Sequence, residues 1–303
     1  MAVAGAAALV ASACTDTGPS APLDFDDVEL PEGVVLQDVE FVNDRGETIK
    51  ALYAAPDLPG PLPAVIVLHG AGGVFDPPDD GEDEPDMGPQ FEEWAAILYN
   101  EGYAVLLPDS FSSRGFYEWT QHPDELDKQD RLVMRAYDAQ AALAFACEQP
   151  EIDCNRIAAL GFSNGGSVAA LSVHERLNDI PLLDDLTPGD ERPKFALSIP
   201  YYPGCGFDGL LSTAIDDPTE FYRPNAPVYV QHAEDDGLLD DCEARLEQTE
   251  AMMEYEDLTE NPFHLTIYPN AGHSFDSDPG STAERTARLE ARQVTLSLLA
   301  NEL

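Results

Sequence analysis

RIAALGFSNGGSVAALSVHERL, residues 156–177, is the stretch that decides the fold. Its first part, RIAALGFS (156–163), is an apolar run of strand length. From Asn164 onward, NGGSVAALSVHERL reads as a helix. At the junction lies Gly161-Phe162-Ser163-Asn164-Gly165, a G-x-S-x-G pentapeptide. Its glycines let the chain turn tightly from strand to helix and leave the serine hydroxyl exposed at the tip. Gly166 adds room for the helix to pack close to a sheet. A Gly-rich turn can also carry an idle serine. The strand before this one and the helix after it mark Ser163 as a candidate nucleophile.

Working outward, VVLQDVEFV (34–42) and ETIKALYAA (47–55) flank a turn at Asn43-Asp44-Arg45-Gly46 and read as a hairpin. PAVIVLHG (63–70) is nearly unbroken apolar sequence, as a strand buried on both faces requires. FEEWAAILYNEGYAVLLPDS (91–110) reads as a helix, a stop at Gly102 and another buried strand. A helical pattern covers 126–147, and KFALSIPYY (194–202), APVYVQHA (226–233) and FHLTIYP (263–269) are further strands. Helical segments follow at about 238–254 and 281–301. Strands alternating with helices predict a mainly parallel sheet with helices on both faces. In such sheets chemistry gathers at the carboxyl ends of the strands.

A serine hydroxyl needs a base to take its proton. The candidate is His273 in Asn270-Ala271-Gly272-His273-Ser274-Phe275, after the last strand. His174 lies within a predicted helix, His232 reads as structural, His69 begins a loop, and His122 and His264 fit no role. The base needs an acid to fix its tautomer. Asp236, after the strand at 226–233, is the first choice and Asp235 the reserve, because register decides between neighbours. The chain order Ser, Asp, His is that of a known arrangement of this triad. An oxyanion needs two backbone N–H groups. Asn164 supplies one at a helix N-terminus, and Ala71 in LHGAGG (68–73) the other.

The formal net charge of −43, from 58 acidic and 15 basic residues, excludes a nucleic-acid partner, since phosphate binding needs clustered Lys and Arg. The excess acid reads either as adaptation to salt or as a solubilising surface. Residues 74–90, VFDPPDDGEDEPDMGPQ, form an acidic insertion at the expected active-site edge, read as a lid, an ion-binding loop or a plain insertion. Its carboxylates lack EF-hand spacing, and no metal site is expected. MAVAGAAALVASAC (1–14) is too short to span a bilayer and resembles the end of a lipoprotein signal, with Cys14 as the lipidated residue. The Lys or Arg that opens such signals is missing, and Ala11 stands where Leu is usual. Residues 15–33 have the composition of a tether. Localisation is thus expected to be the cell envelope or periplasm, with a cytoplasmic alternative. Four cysteines remain after Cys14, and export suggests disulfides, a local Cys147–Cys154 bridge leaving Cys205–Cys242.

With these residues in place the chain, from about residue 34 to its end, resembles the dienelactone hydrolase family of the α/β-hydrolase superfamily. The resemblance rests on LHGAGG, EGYAVLLPDSFSSRG (101–115), GFSNGG, HAEDD and NAGHSF in this order. It implies an α/β-hydrolase catalytic domain at 34–303, a Ser or Cys nucleophile, an Asp, a His and no cofactor. These carry over to Ser163, Asp236 and His273. Founding members use Cys on a carboxylate-bearing lactone held by arginines. Here the nucleophile is Ser, and Arg114 in DSFSSRG is the candidate to hold a substrate carboxylate, or else a structural ion pair. The expected partner is a small ester or lactone, cleaved through an acyl-enzyme. The alternatives are a serine peptidase on the same fold and a non-enzymatic surface-binding lipoprotein.

Overall fold

In the computed structural model of the chain, the described residues are 28–77, 85–121, 128–188, 191–259, 261–277 and 279–303. The signal-like run with Cys14, residues 15–27 of the tether and residues 78–84 of the acidic insertion lie outside them.

The chain opens with β1 (Gln37–Val42) and β2 (Thr48–Ala54), paired antiparallel. Asn43 makes their turn: its side-chain Oδ1 accepts the N–H groups of Arg45 and Glu47 at 3.0 Å each. Gly46 then takes a φ of 78°, which a residue without Cβ adopts without strain. β3 (Leu62–Leu68), α1 (Pro89–Asn100), β4 (Ala104–Asp109), α2 (Lys128–Glu148), β5 (Ile152–Phe162) and α3 (Asn164–Ser172) follow. The rest comprises β6 (Leu197–Tyr201), β7 (Val228–Ala233), α4 (Leu239–Glu256), β8 (Phe263–Tyr268) and α5 (Thr282–Glu302).

All eight strands form one sheet in the order β1-β2-β4-β3-β5-β6-β7-β8. β2 runs antiparallel to both neighbours, and every pair from β4 to β8 is parallel. The carboxyl ends of β3, β5, β7 and β8 therefore share one edge. β3 shows why its sequence is unbroken apolar: Ala64, Ile66 and Leu68 pack with α2 and α3, while Val65 and Val67 pack with α1 and α5 on the other face.

Two elements differ from the sequence reading. β5 starts at Ile152 and not at Arg156, because Ile152 pairs with Leu62 across an irregular register. The helix after the elbow ends at Ser172, so His174 lies outside it. The residues beyond turn to pair with another segment: Glu175 N–H donates to Arg223 O (2.7 Å) and Asn225 N–H to Val173 O (2.8 Å). Cross-chain hydrogen bonds replace those that continued helix would make. The acidic insertion begins and ends as a closed stem, with Phe75 bridged to Met87 and Asp76 N–H donating to Asp86 O at 2.8 Å.

The structure contains both disulfides. Cys147–Cys154 spans the α2–β5 turn, and Cys205–Cys242 ties the loop after β6 to the first turn of α4. Among the described residues no helix is long and apolar enough to cross a membrane, and no group of three or more His, Cys, Asp or Glu is placed to hold a metal ion.

Candidate active site

Ser163 sits between β5 and α3 with φ 52° and ψ −117°. A serine takes a positive φ only where its surroundings force it, at a cost of roughly 1–3 kcal/mol. The motif glycines supply that force. A Cβ on Gly161 would lie 2.1 Å from Gly165 O, and one on Gly165 would lie 2.1 Å from Leu68 O. Backbone fills both places, so no larger residue fits. Ser163 N–H donates to Tyr201 O at 3.0 Å, which pins the turn to β6.

His273 follows β8 in a turn where Asn270 (φ 56°) and Ser274 (φ 64°) are left-handed. Its Nε2 lies 2.9 Å from Ser163 Oγ and its Nδ1 2.6 Å from Asp236 Oδ2. A carboxylate only accepts, so Nδ1–H donates to Asp236 and the Nε2 lone pair faces the serine hydroxyl. The Asp236 side chain is only 4% exposed, against 37% for His273. Burial alone would raise the Asp236 carboxyl, but the hydrogen bonds of His273 and of Leu238 N–H outweigh it and hold it below the ordinary range. Asp235, the reserve acid, is exposed; its N–H donates to Ala271 O at 2.9 Å and its side chain takes no part in the group. Register separates the neighbours: the turn after β7 exposes the first side chain and buries the next.

The remaining described histidines make their hydrogen bonds elsewhere, although His232 Nδ1 also lies 3.8 Å from Asp236 Oδ2. His232 is fully buried and bonded to Pro203 O at 3.2 Å. His174 accepts Arg223 N–H at 3.1 Å, and His264 stacks on Tyr229 at 4.5 Å. His122 lies outside the described residues.

Asn164 opens α3, where the first N–H groups have no partner within the helix. Ala71 lines the same cavity as Ser163, three residues beyond β3. Arg135, on α2, ties the two sides together. It is buried, donates to Asn164 Oδ1 at 2.8 Å and also to His69 O, so one guanidinium holds both the elbow and the loop that carries Ala71. Burial draws its pKa down to about 9. Nothing in the sequence reading singled out Arg135. Its signal is a charge inside the apolar run LVMRAY of a buried helix.

Arg114 does not line this cavity. Its guanidinium pairs with Glu47 (2.7 Å) and Asp138 (2.9 Å) and donates to Ser110 O (2.6 Å). The side chain is 13% exposed, and the hairpin residue Glu47 and the buried Asp138 take its donors. Arg114 does follow a strand, β4, but the direction of a long side chain is set by its partners.

The cavity beside Ser163 measures about 510 Å³ and is walled by Gly70–Val74, the start of α1, Tyr202 and His273. Tyr202 packs edge-on to His273 with ring centroids 5.0 Å apart. Its place at the end of a predicted strand was the signal that could have found it. Behind this wall Asp276, fully buried, accepts from Trp94 Nε1 (2.8 Å), Gln90 Nε2 (2.9 Å) and Arg292 Nε (2.7 Å).

A family model described as "Dienelactone hydrolase family" matches residues 49–180 and 187–303. A curated protein of Bradyrhizobium sp., "Probable 2-oxo-3-(5-oxofuran-2-ylidene)propanoate lactonase", is 23% identical over 255 residues, which is 80% of this chain and 84% of that protein. Among solved structures, a dienelactone hydrolase-like promiscuous phosphotriesterase from metagenomic libraries matches with TM-score 0.60 and 20% identity, covering 88% of this chain and 98% of that one. Thermogutta terrifontis esterase 2, solved phosphorylated by paraoxon, matches with TM-score 0.59 and 16% identity, covering 88% of this chain and 95% of its own. At these identities the structural likeness speaks to the fold.

Proposed function

Since this chain belongs to the dienelactone hydrolase family and is a carboxylic ester hydrolase, we propose that it works through an acyl-enzyme on Ser163, with His273 as base and Asp236 as its orienting acid. One observation carries the reading: a single imidazole lies 2.9 Å from Ser163 Oγ on one side and 2.6 Å from Asp236 on the other. Ser163 Oγ attacks the ester carbonyl while Nε2 of His273 takes its proton. Asp236 stabilises the imidazolium that forms. The N–H groups of Asn164 and Ala71 hold the oxyanion, the first with the dipole of α3 behind it. The proton then passes to the leaving alcohol. Water, activated by the same histidine, releases the acyl group and restores the serine.

The test is hydrolysis of 4-nitrophenyl esters together with fluorophosphonate labelling. Ser163→Ala is expected to lose labelling and at least about 10³-fold in kcat, and Asp236→Asn about 10³–10⁴-fold, by analogy with triad acids elsewhere. Asp235→Asn should stay within about threefold of wild type, because its side chain faces solvent. Folded wild type that neither labels nor turns over any ester would sink the proposal.

We infer that the enzyme works outside the cytoplasm. The apolar run before Cys14 and the disulfides Cys147–Cys154 and Cys205–Cys242 support this. Intact-mass analysis of the mature protein decides it: a lipid mass on Cys14 is expected, and retained Met1 would refute it.

A further inference from the structure

Beyond the oxyanion N–H groups and a few hydroxyls, the cavity beside Ser163 offers a ligand no Lys or Arg side chain. All 15 Lys and Arg residues of the chain fall within the described residues, and none of them lines the cavity. The carboxylate on its wall is that of Asp76, at the stem of the acidic insertion. Arg114, the residue that the family resemblance suggests for a substrate carboxylate, is already engaged by Glu47 and Asp138.

Gln90, on the wall of this cavity, has its amide orientation fixed by its partners. Asp276 is fully buried and pairs with Arg292 at 2.7 Å. Burial would raise its carboxyl, but the charge of Arg292 and the donors of Arg292, Gln90 and Trp94 keep it below the ordinary range and ionised. An ionised carboxylate cannot donate, so the Gln90 atom 2.9 Å from it must be the amide nitrogen. The same nitrogen lies 3.1 Å from Tyr202 OH. Both amide protons are thereby used, and Oε1 carries no protein hydrogen bond among the described residues. Gln90 lines the cavity, and with both amide protons engaged Oε1 is its one side-chain polar atom without a bond among the described residues.

We propose that this pocket selects uncharged esters that bear an N–H or O–H donor, received by Gln90 Oε1, and rejects esters that bear a carboxylate. The inference rests on the hydrolase reading above and names its substrate class. A carboxylate entering here leaves water, meets the oxygens of Gln90 and Asp76 and finds no cation to replace its hydration. An amide or hydroxyl in the same place gains a hydrogen bond. Because the rejection is local, it survives salt. At about 1 M ionic strength the Debye length is only about 3 Å, so long-range repulsion from the acidic surface is screened.

Three methyl esters of one size make the test: monomethyl succinate, methyl succinamate and dimethyl succinate, followed by pH-stat at pH 8 in 1 M NaCl. Wild type is expected to favour the succinamate over the carboxylate by about 100-fold or more in kcat/KM. It should favour the succinamate over the diester by about tenfold, the size of one hydrogen bond. Gln90→Met keeps the length of the side chain without the acceptor and should bring the succinamate-to-diester ratio to about one. Retained fluorophosphonate labelling of Ser163 in that variant shows that the site is intact, and the ratio carries the test whatever the absolute rates. A carboxylate ester turned over within about threefold of the succinamate overturns the proposal, as does a Gln90→Met ratio equal to that of wild type. A protein that labels but cleaves none of the three overturns this inference alone. A folded protein that neither labels nor cleaves any ester overturns the hydrolase reading and this inference with it.

Discussion

Ser163 holds a backbone conformation that a serine does not choose, and the two glycines packed against neighbouring backbone are what keep it there. Other single residues carry the opposite kind of tension, a titratable group sealed from water. His174 is 2% exposed, and burial, with Arg176 nearby, draws its pKa down to about 3 from an ordinary 6.5. Its folded value lies below its unfolded one. Between those values the unfolded chain binds the extra proton, so stability is full above about pH 6.5 and is lost as the pH falls toward 3. His174→Gln keeps an acceptor for the Arg223 N–H and does not titrate. Urea unfolding of both proteins between pH 7 and pH 4 should therefore show wild type losing stability more steeply than the variant. Parallel curves would mean that His174 takes up its proton in the folded protein.

At the scale of elements, the strand-turn-helix at 156–172 was readable because its pattern is local: an apolar run, glycines at the turn, small and apolar residues after it. The hairpin at β1–β2 was readable for the same reason, through the chemistry of Asn43 and Gly46. The end of α3 was not. Residues 173–175 retain a sequence that suits a helix, and the hydrogen bonds that draw them away come from Arg223 and Asn225, some fifty positions further on. Arg135 was hidden in the same way. Its partners are Asn164 on α3 and His69 beyond β3, which α2 meets only when the sheet is assembled.

For the molecule as a whole, a formal charge of −43 on 303 residues is a standing repulsion that compact folding must overcome. Raising NaCl from about 0.05 to 1 M shortens the Debye length to about 3 Å. The thermal midpoint, followed by calorimetry at constant pH, is expected to rise by several degrees, a gain of about 2 kcal/mol or more for a chain of this size. A flat or falling midpoint would show that the surface acids are spaced too widely to repel. The sequence by itself determined the order of strands and helices and the place of Ser163 and His273 at strand ends, because periodicity, glycine positions and chain order are properties of neighbouring residues. It did not decide between Asp235 and Asp236, the engagement of Arg114 by Glu47 and Asp138, or the orientation of the Gln90 amide. Those depend on which side chain a turn buries and which distant partner stands opposite it. Only the closed sheet, with residues up to 199 positions apart brought within hydrogen-bond reach, supplies that partner.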